Sequence, residues 1–329
     1  MTLVLPYGLP PAAIASALAD QLGRHAPTLL RWFESATARL EDCEPAEIFC
    51  TPYQAWRLRH AGYQPANGVP LGSGWAVLQA SAQHTEPHAA VWLAHFVHFA
   101  VSERGVALVA PELLGLTEDE FHALLDAVRP EFVEAGIRVE PLPGNNLKVH
   151  LPDDVLPYAP TLEAMIGQDV DPWWPQQPQA RPWRRTLNAI QMVWHDHPVN
   201  QHRIDHGLLP VNGVWLHGGG RYADFHEPVP AAHDELSIAP ELELPFRHGD
   251  WAGWLKALAT LEAQYFQPLQ VKLERGELGS LTVVVTGERQ VATLEVRTPR
   301  FWQRWLPRRR GAWKHWWAPP VRRPPERPD

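Results

Sequence analysis

Apolar residues along the chain switch between the two-residue period of strands and the three-to-four-residue period of helices, which predicts a mixed α/β protein. Leu3-Val4-Leu5 reads as a short buried strand. From Pro11 to about residue 40, Ile14, Leu18, Leu22, Leu29, Leu30 and Phe33 keep helical spacing, with proline suited to the first turn. Tyr53 to His60 reads as a second, short helix, and Trp75–Leu78, Val91–Val101 and Val106–Ala110 read as strands. Thr117-Glu-Asp-Glu120 is a capping box that opens a helix with Phe121, Leu124, Leu125, Val128 and Phe132 on one face, ended by Gly136. Ile137–Leu142 and Leu147–Leu151 alternate as a hairpin around Gly144-Asn145-Asn146.

Residues 169–179 form a polar connector rich in Pro and Trp. Beyond it, Trp183 to His197 is predicted helical, Leu209–Leu216 extended, and residues 222–248 irregular. Trp251 to Glu274 is an amphipathic helix that Pro268 should kink, and Leu281–Val285 with Val291–Val296 make a hairpin turning at Thr286-Gly-Glu288. The expected fold is α/β with mixed α+β elements, a mixed sheet flanked by helices. The expected division is an N-terminal region 1–160, a second region 161–299 and a flexible tail 300–329.

Charge changes the picture of the tail. The whole chain carries a formal −8, which argues against nucleic acid as a partner of the body. Residues 300–329 hold nine Lys/Arg against Glu326 and Asp329, and interleave them with Trp302, Trp305, Trp313, Trp316 and Trp317. Such a tail is expected to contact an acidic protein surface or anionic lipid. Cys43 and Cys50 are too few for a disulfide framework. The start lacks a basic signal-peptide region and no apolar run reaches the ~20 residues of a membrane span, so a cytoplasmic protein is expected.

The densest chemistry lies between Trp183 and Arg221. Trp183, Leu187, Ile190 and Trp194 form an apolar stripe, and Asn188, Gln191 and His195 lie on the neighbouring face. Asn200, Arg203 and Asn212 follow, then Gly218-Gly219-Gly220-Arg221. A strand running into three glycines could converge backbone N–H groups on an anion, with Arg203 and Arg221 as bidentate partners. The competing expectation is a plain tight turn. His195, His197, His202, His206 and His217 raise a metal reading, but His195 and His197 stand roughly 200° apart on a helix. His202 and His206 share a face only if the turn after Pro198 is helical. His84, His88, His95 and His98 flank the strand-like runs and are expected to be partly buried. No cofactor is predicted.

The run Asn188-Ala-Ile-Gln-Met-Val-Trp-His-Asp-His-Pro-Val-Asn200, then His202-Arg203, Gly207 and Pro210-Val-Asn-Gly-Val-Trp-Leu-His-Gly-Gly-Gly220, is similar to a signature of proteobacterial proteins of the regulator-of-pathogenicity-factors E type. More weakly, the starts of the helices at 117 and 251 look like that family. The same run resembles a stretch of archaeal-type cofactor-independent phosphoglycerate mutases. That resemblance implies a fold alkaline-phosphatase- or mutase-like in part, and places Asn200, Arg203, Asn212 and Gly218–Gly220 near a substrate or a fold-defining loop. Such mutases use two metals, a serine nucleophile and an early Asp-Gly motif, whereas the first strand here, Leu3-Val-Leu-Pro-Tyr-Gly8, has no aspartate. Three functions follow as expectations: a regulatory, degenerate mutase-like protein binding a small phosphorylated anion; an active mutase or related phosphotransferase or phosphohydrolase; or an interaction protein acting through its tail.

Overall fold

The computed structural model describes residues 1–80, 86–102, 105–152, 158–174, 176, 178–226, 235–297 and 311–318. The strands are β1 (Thr2–Leu5), β2 (Ala38–Asp42), β3 (Ala90–Val97), β4 (Phe99–Ser102), β5 (Gly105–Leu108), β6 (Arg138–Leu142), β7 (Asn146–His150), β8 (Gly213–Arg221), β9 (Leu236–Ile238), β10 (Leu281–Thr286) and β11 (Gln290–Val296). The chain divides into two compact units, Met1–Glu44 with Val229–Asp329, and Pro45–Pro228. This corrects the expected boundary near residue 160. The connector 169–179 belongs inside the second unit, tied there by a bridge from Asp169 to Ala107.

The first unit is built on a mixed sheet of order β2-β11-β10-β1-β9. β1 runs parallel to both β10 and β9, while β11 runs antiparallel to β10 and β2. A central strand covered on both faces is rich in apolar residues, and Leu3, Val4 and Leu5 of β1 are wholly buried. The helix expected from 11 to 40 is three pieces, Ala12–Ala19, Leu22–His25 and Pro27–Ser35, and then β2. Pro27 has no N–H for a continuing ladder, so the helix restarts there. The buried Glu262 carboxylate accepts from the Thr28 N–H at 3.2 and 3.3 Å, an acid at a helix start where unpaired N–H groups gather. Glu262 opens the π-helical turn Glu262–Phe266 that joins Trp251–Leu261 to Gln267–Glu274. This wider turn is how the long helix absorbs Pro268.

Part of the tail is not a loose end. Trp313, Trp316 and Trp317 are buried in the core of the first unit. Trp316 stands edge-on to Phe33 at 5.2 Å, the Trp317 indole N–H donates to the Gly8 carbonyl at 3.2 Å, and Lys314 pairs with Asp20 at 3.0 Å. The apolar area of three indoles outweighs the charge of the neighbouring arginines in deciding where this segment goes. Residues 298–310 and 319–329, which carry the rest of the basic charge, lie outside the described residues.

The second unit contains an antiparallel sheet of order β6-β7-β3-β8 and a separate β4–β5 hairpin. One sheet face packs on the helices Glu118–Glu134 and Arg181–His195 through Trp92, Ala94, Phe96, Leu147, Val149, Val214 and Leu216. The capping box at Thr117 and Glu120 forms as expected, both bonds being present. The other face carries Val91, Leu93, His95 and Val97 of β3. Trp75–Leu78, expected as a strand, lies in the helix Gly74–Gln79, whose Ala76 and Val77 pack on Val91 and Leu93.

Candidate functional site

Most polar side chains of the 183–221 stretch are spent on the backbone. Asn200 is buried; its amide donates to the Trp194 and Val211 carbonyls and its Oδ1 accepts from the Val211 N–H, each at 2.8 Å. Asn212 accepts from the Phe99 N–H at 2.7 Å and donates to the Phe99 carbonyl at 3.0 Å, imitating a strand pairing. Gln191 donates to the Asn212 carbonyl at 2.9 Å. Arg203 is 0 % exposed: Nε donates to the Leu209 carbonyl at 2.8 Å, Nη1 to Glu120 at 2.7 Å and Nη2 to the Leu114 carbonyl. Burial pushes the Glu120 carboxyl up, but the Thr117 and Arg203 hydrogen bonds and the Arg203 charge outweigh it and hold it below its ordinary value. Asn188, His195 and Arg221 are exposed.

The three glycines are not a turn that gathers N–H groups. They lie within β8, whose register slips by one residue between Val91 and Trp92 of β3, opposite Gly218–Gly220. Gly218 and Gly219 have φ of 116° and 90°, left-handed values open to glycine. A Cβ on Gly219 would lie 2.3 Å from the Trp92 ring, and one on Gly220 2.7 Å from the Ser73 carbonyl oxygen. The glycines therefore let neighbouring backbone and the Trp92 indole approach β8 closely. Arg203 and Arg221 do not converge, because Arg203 is bonded near Leu209 while Arg221 ends β8. At about 3.3 Å per residue, β8 alone spans roughly 26 Å.

A different polar group lies on the second sheet face. His95 of β3 and His217 of β8 meet Nε2 to Nε2 at 2.9 Å, with their rings nearly parallel, 9° apart. Around them Thr161 Oγ1 and the Thr51 N–H both donate to Gln54 Oε1, and Gln54 Nε2 donates to Glu163 at 2.8 Å. The Glu163 charge and a hydrogen bond with Asn146 push the His95 pKa up, against a larger downward push from burial that leaves it lowered. Burial, and then the His95 neighbour, hold His217 well below the ordinary imidazole value. Both rings are thus neutral at pH 7, and one proton lies between the two Nε2 atoms.

Asn146 stands opposite His95 across the strands. In the tautomer with His217 donating from Nε2 to His95, the His217 Nδ1 is a bare lone pair. That atom is buried and has no hydrogen-bond partner among the described residues. An orphaned buried acceptor costs about 1–3 kcal/mol, so the position suits a donor brought by a ligand. Chemically the line Glu163, His95, His217 ends in a neutral nitrogen base positioned through a second imidazole. Nearby, Tyr63 shares a 3.0 Å hydrogen bond with Ser73, and burial pushes its pKa up to about 12.

Sequence parity places His95 on the Val91, Leu93, Val97 face, but not opposite His217, because that contact depends on a cross-strand register. The histidines flagged for a metal separate. His195 is exposed, and His197 caps its helix by accepting from the Val199 N–H at 3.2 Å. His202 and His206 do share one face, since Pro198–Asp205 is helical. His84 lies outside the described residues. Among the described residues, no group of three or more His, Cys, Asp or Glu is arranged to hold a metal.

No family model matches the chain. One curated relative, named "Probable 2,3-bisphosphoglycerate-independent phosphoglycerate mutase" from Geobacter sulfurreducens, is 41 % identical over 44 residues, 12 % of this chain and 11 % of that protein. The chain thus matches about a ninth of that relative's length. Among solved structures, the cofactor-independent phosphoglycerate mutase from Thermoplasma acidophilum has a TM-score of 0.36 at 14 % identity, covering 90 % of each chain. The PH0037 protein from Pyrococcus horikoshii has a TM-score of 0.46 at 14 % identity, covering 90 % of this chain and 87 % of its own. No helix among the described residues is long and apolar enough to cross a membrane.

Proposed function

We propose that the chain is a regulatory, degenerate mutase-like protein that binds a small phosphorylated hydroxy acid at the His95–His217 pair without turning it over. The observation that carries this reading is the buried, unpartnered Nδ1 of His217, an acceptor when Nε2 donates to His95. A ligand hydroxyl is a donor suited to it, and a neutral imidazole pair binds such a group without bringing a competing charge. The anionic end needs a cation. Lys148 lies in the same cross-strand row as His217, both paired with Leu93, and the exposed Arg221 stands four residues further along β8. The local likeness to a phosphoglycerate mutase suggests the ligand class. Arg203, committed to Glu120 and two carbonyls, takes no part.

The test is thermal unfolding with 3-phosphoglycerate, and with potassium chloride at equal ionic strength. Binding at [L] of 100 Kd adds about 2.7 kcal/mol and raises Tm by several degrees. His217→Phe should abolish the rise and Lys148→Ala or Arg221→Ala should weaken it. No rise in the parent protein, or an equal rise in His217→Phe, refutes the site. Conversion to 2-phosphoglycerate by manganese-loaded protein would replace the binding reading with the catalytic one.

A further inference from the structure

We infer that His202 and His206 form a surface chelate for a divalent transition metal of the zinc–nickel–copper class. His202 lies in the helix Pro198–Asp205 and His206 caps it, the His206 N–H reaching the His202 carbonyl at 3.2 Å. This i,i+4 spacing projects two imidazoles from one helix face, the arrangement that lets two histidines grip one ion. Their ring centroids are 4.0 Å apart with planes at 43°. Two imidazole nitrogens bound at about 2.1 Å to one tetrahedral ion stand roughly 3.4 Å apart, within reach by rotation of the two rings.

The second observation concerns the proton. His206 Nδ1 lies 2.8 Å from the His202 carbonyl oxygen, which can only accept, so Nδ1 carries the hydrogen. The Nε2 of His206 is then a lone pair, and fixing the tautomer through the other ring nitrogen is the usual second support of a metal-bound histidine. Both side chains are exposed, so an ion reaches them without any opening of the fold. The adjacent cation, Arg203, turns inward and is neutralised by Glu120 at 2.7 Å. Two imidazoles leave the remaining positions to water, and borderline ions that favour nitrogen bind such a pair where Mg²⁺ does not.

Calorimetric titration of tag-free protein with ZnCl₂ and NiCl₂, with MgCl₂ as the control, tests this. The expected result is one Zn²⁺ or Ni²⁺ per chain at micromolar Kd and no Mg²⁺ signal. Affinity should fall about tenfold or more in each of His202→Gln and His206→Gln, both surface changes that leave the circular dichroism unchanged. Bound Cu²⁺ should show coupling to two imidazole nitrogens by electron paramagnetic resonance, reduced to one in either variant. Retention of the parent affinity in the double variant, absence of stoichiometric binding, or loss of binding in His217→Phe with His202 and His206 intact would each overturn the assignment.

Discussion

Two buried polar groups in the second unit invite comparison. Around Asn200 and Arg203, each described side-chain bond ends on a backbone group or on Glu120. At His95 and His217 the polar groups also find one another, but one nitrogen is left over. The first group lies in the stretch whose sequence looks most like a binding motif, and it holds residues 206–212 to a helix. The second joins His217 of that same stretch to His95 of β3, whose sequence shows only alternation. A closed set of hydrogen bonds marks a scaffold, and an open one marks a place where something else can bind.

This contrast can be broken from either side. The largest effect is expected for Arg203→Ala, which empties the space of a fully buried side chain and breaks its bonds to Glu120 and two carbonyls; it should cost about 3 kcal/mol in urea unfolding. A loss below about 1 kcal/mol would return Arg203 to the list of ligand groups. Asn200→Ala should cost about 1–3 kcal/mol by the same logic. Gly219→Ala should cost about 1–3 kcal/mol from its φ of 90° alone, with a clash against Trp92 added. An anion-gathering turn would instead show a binding defect with little loss of stability.

On the other side, pH is the lever. His217 in the folded chain has a pKa well below 6.5, so the unfolded chain binds more protons once pH falls below 6.5. Stability should decline from there toward the folded pKa, and His217→Phe should flatten that part of the profile. The smallest effect is expected for His217→Phe at pH 7.5. It removes the unpartnered Nδ1 together with the Nε2 bond to His95, and the two effects offset to a loss of about 1 kcal/mol or less. A loss comparable to that of Asn200→Ala would mean that the pair is scaffold after all.

Local signals were legible. The capping box at Thr117, the hairpin at Gly144 and the stripe from Trp183 to Trp194 depend on neighbours in sequence, and all three form. Three misreadings share one cause. The glycine run, the Trp75–Leu78 segment and the flexible tail each depend on a distant surface: the backbone at Ser73, the Val91–Leu93 face and the core around Phe33. The His95–His217 contact was hidden for the same reason, since spacing within a strand says nothing of its partner's register. The site residues expected from sequence are polar types able to hold an anion, but composition cannot tell which polar groups are already paired.

The insertion of the second unit between β2 and β9 has a consequence in time. β1 leaves the ribosome long before its partner β10, which begins 279 residues after Thr2, the first residue of β1. At about 5–20 residues per second, β1 waits roughly 15–60 s for that strand. Pro45–Pro228, by contrast, is one uninterrupted stretch, and every strand of its sheet has been made before β9 appears. A nascent chain paused before residue 281 therefore has the middle of the protein able to assemble while its first strand, wholly apolar in Leu3-Val4-Leu5, still lacks β10, a natural interval for a chaperone to hold it.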